Sequence, residues 1–489
     1  MATRTYILPP KNQSGLLLGL TFGQLLIIGA GGFVTLVAIN TIGGIRAVIP
    51  IAASYGIAKA RIGGLLLVEW VPVLLHWLQV RRSLPMHPTK GDGELSSAEP
   101  LRGITVEDID NSIGVVVSPD NQTLTAVIEV AAPTVNALLP DDDIIQMLDG
   151  WGTVLATHAK FGSPVARIGW TEVCRTASED DHLAWVDSVG NNRDEALKRD
   201  YLQIVRSAAP TTTSHTVYLS VVVDAGRLTR RHWSAGVNES NRGDKGASNQ
   251  RLAEALVRSV RVTNEALRKA DLSPHTLTSA EINDFVDSAV DPDHARSFAP
   301  RVGALSQRLR PGARSPLSEQ TVTPHWYATD HVLHRSYQIF DWPRQPQTAG
   351  WLLDLLVLPL TARRMTVWFA PVEARSSYQR INRELAKLEA DATLADDKGK
   401  RVTAVTHRAV EAAQDREAEL VDGFAEADYV GVVTISRATL EGLVADCEAF
   451  EAAAMQTGIE LRALDRQHDL GWGASLPFGI PVQQGSLVT

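Results

Sequence analysis

The feature that most constrains this 489-residue chain is an apolar run near its start, LTFGQLLIIGAGGFVTLVAI at residues 20–39, which contains no ionisable side chain. Water rejects such a segment, so lipid, a partner or the chain's own core must cover it. About 20 apolar residues in helical form cross a hydrocarbon layer roughly 30 Å thick. The run therefore predicts a transmembrane helix over about 21–42. After Thr41-Ile42-Gly43-Gly44 a second apolar run, IRAVIPIAASYGIA, predicts another helix over about 45–58, bent at Pro50 and stopped by Lys59 and Arg61. Two such helices make a hairpin whose ends share one side of a bilayer. Gly15, Gly19 and Gly23 recur at four-residue spacing, followed by Gly29, Ala30, Gly31 and Gly32. That small-residue face suits close packing of another helix.

Charge is distributed unevenly along the chain. Residues 1–90 hold eight of the 47 basic residues and one acid, Glu69, which leaves 39 basic against 55 acidic residues beyond, a net of −16. A body that acidic repels phosphate, so direct nucleic-acid binding over its surface is not expected. A basic head suits the side of a membrane that carries anionic lipid, and the positive-inside rule places both hairpin ends in the cytoplasm. A third apolar stretch, IGGLLLVEWVPVLLHWLQV, carries Glu69, Pro72, His76 and Gln79 at intervals of three and four. On a helix these form one polar stripe, with Trp70 and Trp77 at headgroup depth, and predict an interfacial helix over about 62–80. If this stretch spans instead, the body faces outward; that alternative stays open. Residues 1–82 are thus read as a membrane anchor.

Residues 83–103 form a polar linker rich in Pro, Gly and Ser. Beyond it the periodicity shifts to that of an α+β body in two units, 104–294 and 322–489, joined by an Arg-rich linker at 295–321. IGVVVSPDNQTLTAVIEVA reads as a β-hairpin, and a helix starts at the acidic cluster Asp141 to Asp143. Strands are expected near 165–174 and 214–224, with a helix from about 247 to 270. In the second unit strands are expected near 325–342, 364–371, 429–436 and 459–465. Between them, Tyr378, Ile381, Leu385 and Leu388, then Val402, Val405, Ala409 and Ala412, recur at heptad-like spacing. They predict a long antiparallel helical hairpin over about 376–426, either packed on the sheet or protruding toward a partner.

The search for chemistry yields mostly absences. The one Gly-Lys pair, Gly399-Lys400, is followed by Arg401, and no GxxxxGK[ST] phosphate-binding loop occurs in the sequence. Cys174 and Cys447 lie far apart without a CxxC spacing and read as small packed hydrophobes. GASLP at 473–477 is a near miss for a nucleophile elbow, with Pro477 where the second glycine belongs, so Ser475 is a weak nucleophile candidate. His325, His331 and His334 surround Asp330, but residues three apart on a strand point to opposite faces, which argues against a metal site. The RGD at 242–244 lies in a polar loop and reads as a chance tripeptide. No catalytic set, cofactor or metal is assigned. Residues 295–315 carry Arg296, Arg301, Arg308, Arg310 and Arg314 without an acid, either as a flexible linker or as a docking surface for an anionic partner.

Three stretches then suggest a family: HRSYQIFDWPRQPQTAGWLLDLL at 334–356, RRMTVWFAPVEARSSYQRINRELAKLEAD at 363–391 and LDRQHDLGWGASLPFG at 464–479. With them the body resembles the N-terminal, non-motor domain of the conjugation ATPases of type IV secretion, the TraC/TrbE/CagE group. Residues 1–90 resemble the small inner-membrane proteins of the PrgI family, and the combination is similar to proteins of actinobacterial type IV secretion-like loci. In the ATPase family an LPFG-like turn precedes the nucleotide-binding domain, whose motif this sequence lacks. The resemblance implies a membrane-anchored structural subunit, not an enzyme, that docks a separately encoded P-loop ATPase. It further implies contact with inner-membrane lipid and other secretion subunits, oligomerisation within the complex, and a body on the cytoplasmic side of the bacterial membrane. Trp472 and Phe478 are the expected aromatic anchors for the motor chain. A tethered enzyme with a dispersed site is the alternative from another class.

Overall fold

Alternation of apolar and polar residues along the body's strands produces a sheet with two unlike faces. The computed structural model describes residues 22–41, 49–62, 65–83, 94–110, 112–131, 141–176, 195–208, 213–228, 245–292, 317, 319–360, 362–397 and 404–480. The chain begins with α1 (Phe22–Thr41), α2 (Ile49–Lys59), a short ribbon of β1 (Arg61–Ile62) and β2 (Leu65–Leu66), and α3 (Leu67–Ser83). The first half of the body follows with β3 (Thr105–Ile109), β4 (Ile113–Val117), β5 (Thr123–Ala131), α4 (Asp141–His158), β6 (Val165–Thr176), α5 (Glu195–Ala208), β7 (Thr213–Asp224), α6 (Lys245–Lys269), β8 (Ser273–Thr276) and α7 (Ser279–Val290). The second half has β9 (Gln320–Val322), β10 (Tyr327–Thr329), β11 (Val332–Asp341), α8 (Leu353–Leu356), β12 (Ala362–Pro371), α9 (Ala374–Asp397) and α10 (Ala404–Val421). It closes with β13 (Ala427–Arg437), α11 (Leu440–Gln456), β14 (Glu460–Ala463) and α12 (His468–Ala474).

The two halves expected as separate units share one 12-stranded antiparallel sheet, ordered β3-β4-β5-β7-β6-β12-β13-β11-β10-β9, with β8 on β5 and β14 on β11. The junction is the pairing of β6 with β12, where Cys174 lies opposite Arg363, Glu172 opposite Met365 and Trp170 opposite Val367. One face is apolar and covered by helices. In the first half Ile168, Leu219 and Val221 pack with Val154 of α4 and Leu252, Leu256 and Val260 of α6. In the second half Met365, Val433 and Ile435 pack with Leu443, Cys447 and Phe450 of α11. Fully burying each such side chain stabilises by about 1.5–3 kcal/mol. Burial pushes the thiols of both Cys174 and Cys447 up to about 11, as for inert core cysteines. Local signals fix the helix starts: Thr278 and Glu281 form a reciprocal capping box on α7, and Thr439 caps α11.

The N-terminal helices correct the expected membrane architecture. Among the described residues no helix is long and apolar enough to cross a membrane. The second arm of the expected transmembrane hairpin, α2, has only 11 residues, a rise of about 16 Å against roughly 30 Å of hydrocarbon. In α1 the apolar run is interrupted by polar groups, with Gln24 donating to Ala58 O at 2.9 Å and Thr35 to Gly31 O at 2.8 Å. The expected interfacial helix is also corrected, because α3 turns polar side chains toward protein. Glu69 accepts from Leu66 N at 2.8 Å, and His76 meets Asp469 at 3.1 Å. Val73 and Val80 are buried while Val71, Leu74, Leu75 and Leu78 are exposed. The transmembrane hairpin and interfacial helix thus give way to three helices packed in series, α3 lying against the sheet at β9.

Helix packing uses Gly31, one of the small residues expected to face a neighbouring helix. A Cβ at Gly31 would collide with Ser54 of α2, so this glycine lets the two backbones approach. Gly23 lies in the first turn of α1, and Gly15 and Gly19 lie outside the described residues. The expected linker also changes character at its end: Leu95, Ala98 and Leu101 are buried in the core beside Trp472.

Candidate functional site

The second face of the sheet is where polar groups gather. The residues alternating with the apolar set are His334 and Ser336 on β11, Thr434 and Ser436 on β13, Arg364 and Thr366 on β12, Thr171 on β6 and Ser220 on β7, all buried. Their cover is the C-terminal stretch 468–480, comprising α12 and the Ser475-Leu476-Pro477-Phe478-Gly479 turn. The turn runs from the second half of the sheet to the first, and each strand it crosses contributes a hydrogen bond. Trp368 Nε1 donates to Ala474 O at 2.9 Å, Thr366 Oγ1 to Ser475 O at 2.6 Å, Ser220 Oγ to Pro477 O at 2.7 Å and Arg167 Nη2 to Gly479 O at 2.8 Å.

Small residues make the close approach possible. A Cβ on Gly473 would lie 2.7 Å from Pro100, and one on Gly471 would collide with Ser336. Gly479 adopts a φ of 67° with Thr125 only 2.5 Å from where its Cβ would be. Trp472 is fully buried against Tyr327 and His334, and Phe478 stacks edge-on with Phe285 at 5.7 Å. The structure therefore places the two expected partner anchors inside this chain's own core.

The histidines here serve structure. Thr329 Oγ1 gives its proton to Val290 O, so His334 Nε2 donates to Thr329 at 2.6 Å and His334 Nδ1 accepts from Ser436 Oγ at 2.8 Å. Both ring nitrogens are engaged, and burial holds the imidazole neutral, well below its ordinary pKa. His468 Nδ1 accepts from Ser336 N at 3.1 Å, and burial lowers its pKa too. His76, by contrast, has its pKa raised, chiefly by its hydrogen bond to Asp469. Ser475 donates to Trp472 O at 2.8 Å and accepts from Arg364 Nε at 3.3 Å, so the candidate nucleophile has no base beside it and no exposure. Of the histidines around Asp330, His334 is fully buried, His331 is exposed in the turn before β11, and His325 is 67% exposed and 3.9 Å from Asp465.

Across the sheet lies the other cluster of chemical groups, and sequence reasoning did not find it. Glu172, Cys174 and His215 bring ligand-type atoms within 4.8 Å of one another. Their engagements do not fit a metal. Glu172 accepts from Arg363 Nη2 at 2.9 and 3.0 Å and meets His215 Nδ1 at 2.7 Å. The Arg363 cation occupies the charge a metal would need, and the Cys174 thiol resists ionisation. Arg363 Nη1 also donates to Leu355 O and Nη2 to Leu356 O, each at 2.8 Å. The cluster is a buried ion pair that joins β6 of the first half to β12 of the second. Its only sequence signal is an acid and an arginine inside strands, too common to single out.

Arg296, Arg301, Arg308 and Arg310, the RGD tripeptide and Gly399-Lys400 lie outside the described residues. No family model matches the chain, and no curated protein matches it.

A further surface feature is the helical hairpin. α9 and α10 close on a seam of buried Ile381, Ala413 and Leu420, with Arg416 donating to Glu384 at 2.8 Å. Val402 lies outside the described residues. Among the described elements the two helices have extensive contact only with each other, and Arg380 ties the base of α9 to Asp428 at 3.0 Å. They leave exposed flanks carrying Arg383, Lys387 and Glu389 on one arm and Arg408, Glu411 and Asp415 on the other.

Proposed function

We propose that the chain is a non-catalytic docking subunit of a type IV secretion or conjugative DNA-transfer complex, and that it seats a separately encoded P-loop ATPase. The observation that carries this reading is the α9–α10 hairpin, a pair of helices closed on its own seam and tied to the body at its base. A helix pair that contributes little to the core yet keeps a buried seam is suited to presenting its charged flanks to a partner. The engaged histidines and the buried Ser475 add support, since neither polar cluster offers an accessible nucleophile and base. Oligomerisation with other secretion subunits, and a place at the bacterial cytoplasmic membrane with the body on the cytoplasmic side, follow from the family resemblance and belong to the same proposal.

The test replaces residues 378–420 with a short Gly-Ser linker in the full chain and measures capture of the P-loop ATPase encoded beside it. The hairpin-less chain is expected to keep a cooperative thermal transition while capture falls at least about tenfold, a loss of about 1.4 kcal/mol. Unchanged capture by a folded hairpin-less chain rejects the hairpin as the docking element. Nucleotide hydrolysis by the purified wild-type chain that a single substitution abolishes rejects the non-catalytic reading.

A further inference from the structure

Where β6, β12 and β13 meet the end of α7, a small cavity is lined by Arg175, Ser288, Arg363, Arg364 and Ser436, with Pro292 at its edge. Three arginines at one cavity raise the question of charge balance, and they answer it differently. Arg363 is neutralised by both oxygens of Glu172. Arg175 donates from Nη2 to Ser288 Oγ at 2.8 Å.

Arg364 has no such arrangement. It is 5% exposed, its Nε reaches the neutral Ser475 Oγ at 3.3 Å, and its guanidinium lies 5.5 Å from the ring centroid of Trp472. Its Nη2 has no hydrogen-bond partner among the described residues. A buried guanidinium is normally paired, because leaving water is costly for an ion and one N–H bond to a hydroxyl does not offset it. Burial, with Arg175 nearby, lowers its pKa to about 9, which still leaves it cationic at neutral pH. The neighbouring hydroxyls spend their protons elsewhere, Ser288 on Phe285 O and Ser436 on His334 Nδ1, so neither competes with the arginines as a donor to an anion in the cavity. What the cavity has to spare is positive N–H groups.

We propose that this cavity binds a small monovalent anion of the chloride class, with the Arg364 guanidinium as its principal donor and Arg175 beside it. The cavity has room for about one water-sized occupant at most, which excludes phosphate and sulfate. An anion here neutralises Arg364, whose contacts among the described residues include no carboxylate. Because Arg364 also touches Ser475 and lies against Trp472, the bound ion steadies the seating of the C-terminal stretch on the sheet. The consequence is a halide-dependent stability that does not depend on any partner or on the docking function.

The experiment melts the full-length chain in sodium chloride and in sodium gluconate at matched ionic strength. The melting temperature is expected to be about 2–4 °C higher in chloride, with an increment that saturates as a single site fills. Arg364→Met should abolish the chloride increment, whereas Arg102→Met, at an exposed arginine, should retain it. If Arg364→Met does not fold, wild-type crystals grown in sodium bromide read the site directly, through an anomalous peak within hydrogen-bond distance of Arg364 Nη2. Identical melting in the two salts, an equal chloride increment in a folded Arg364→Met chain, or bromide crystals with no peak in this cavity overturns the proposal.

Discussion

The two faces of the sheet are closed in different ways. On one, Met365, Val433 and Ile435 meet the apolar sides of helices, and the contacts depend on volume more than on direction. On the other, buried hydroxyl, indole and guanidinium groups meet the backbone of residues 468–480 through hydrogen bonds with fixed partners. A helix covering an apolar face can shift or change composition and still cover it. The C-terminal stretch cannot: a slip of one residue would leave Trp368, Thr366, Ser220 and Arg167 donating to nothing, each with a desolvation penalty of about 1–3 kcal/mol. The difference teaches that the hydrogen-bonded part of the second face fixes the register of the chain's last described segment across both halves, while apolar contacts on both faces supply bulk stability.

Truncating the chain after Gln467 should have the largest effect on that comparison. It removes Trp472, Leu476 and Phe478 from the core and uncovers the polar strands together. Burial of three such side chains is worth roughly 5 kcal/mol or more, comparable with the whole stability of an ordinary domain. The truncated chain should therefore lose its cooperative calorimetric transition. If the transition survives within a few degrees of wild type, the polar face does not need its cover.

A smaller effect is expected at the junction of the halves. Arg363→Met alone strands Glu172, and Glu172→Gln alone strands Arg363, each with an expected loss of about 3–5 kcal/mol. The double variant should lose markedly less than the two singles together, because it leaves no unpaired buried charge. Urea melts of the four chains measure the coupling; additive losses would mean that the pair does not act as the tie between β6 and β12.

Acid sharpens the comparison at a still smaller scale, because each face holds histidines kept neutral by burial. On the helix-covered face His158, 2.9 Å from Thr263, has its pKa lowered to about 4 by desolvation. On the other face His334 and His468 are lowered for the same reason. A histidine whose folded pKa lies below its unfolded value of about 6.5 is protonated first in the unfolded chain. Its stabilising contribution is whole above about pH 6.5 and is lost as pH falls toward the folded value, up to about 3 kcal/mol for His158. His76 has the opposite sign, since its raised pKa favours the folded chain in acid and that contribution is lost as pH rises through the folded value. Melting temperature should fall between pH 7 and pH 4.5, and His158→Gln should flatten part of that slope.

The apolar face was legible in the sequence because alternating Val, Ile and Met names both the strand and the side it buries. The strands expected near 165–174, 214–224, 364–371 and 429–436 are β6, β7, β12 and β13, and the helix expected from the acidic cluster at Asp141 is α4. The polar face was not legible. His334, Ser336, Thr366 and Ser475 have the chemistry of surface residues, and only the chain folding its own C-terminal stretch across them makes them interior. The same limit explains the N-terminal helices, since an apolar run states that water is excluded without stating what excludes it. In α2 eleven residues with Ser54 against Gly31 make a helix pair, and the stripe at Glu69 and His76, which suggested a lipid interface, serves contacts within the chain. Arg363 and Glu172 stand 191 positions apart, and no local pattern relates them.

The most direct test of this account is hydrogen–deuterium exchange of residues 468–480 in the intact chain. The amides of Gly471, Ser475 and Leu476 bond to Gln467 O, Gly471 O and Gly473 O beneath a fully buried Trp472, so they should exchange as slowly as amides of the central strands β12 and β13. Exchange of this stretch within seconds, alongside strands that stay protected, would contradict the claim that the chain's own C-terminal stretch closes the polar face.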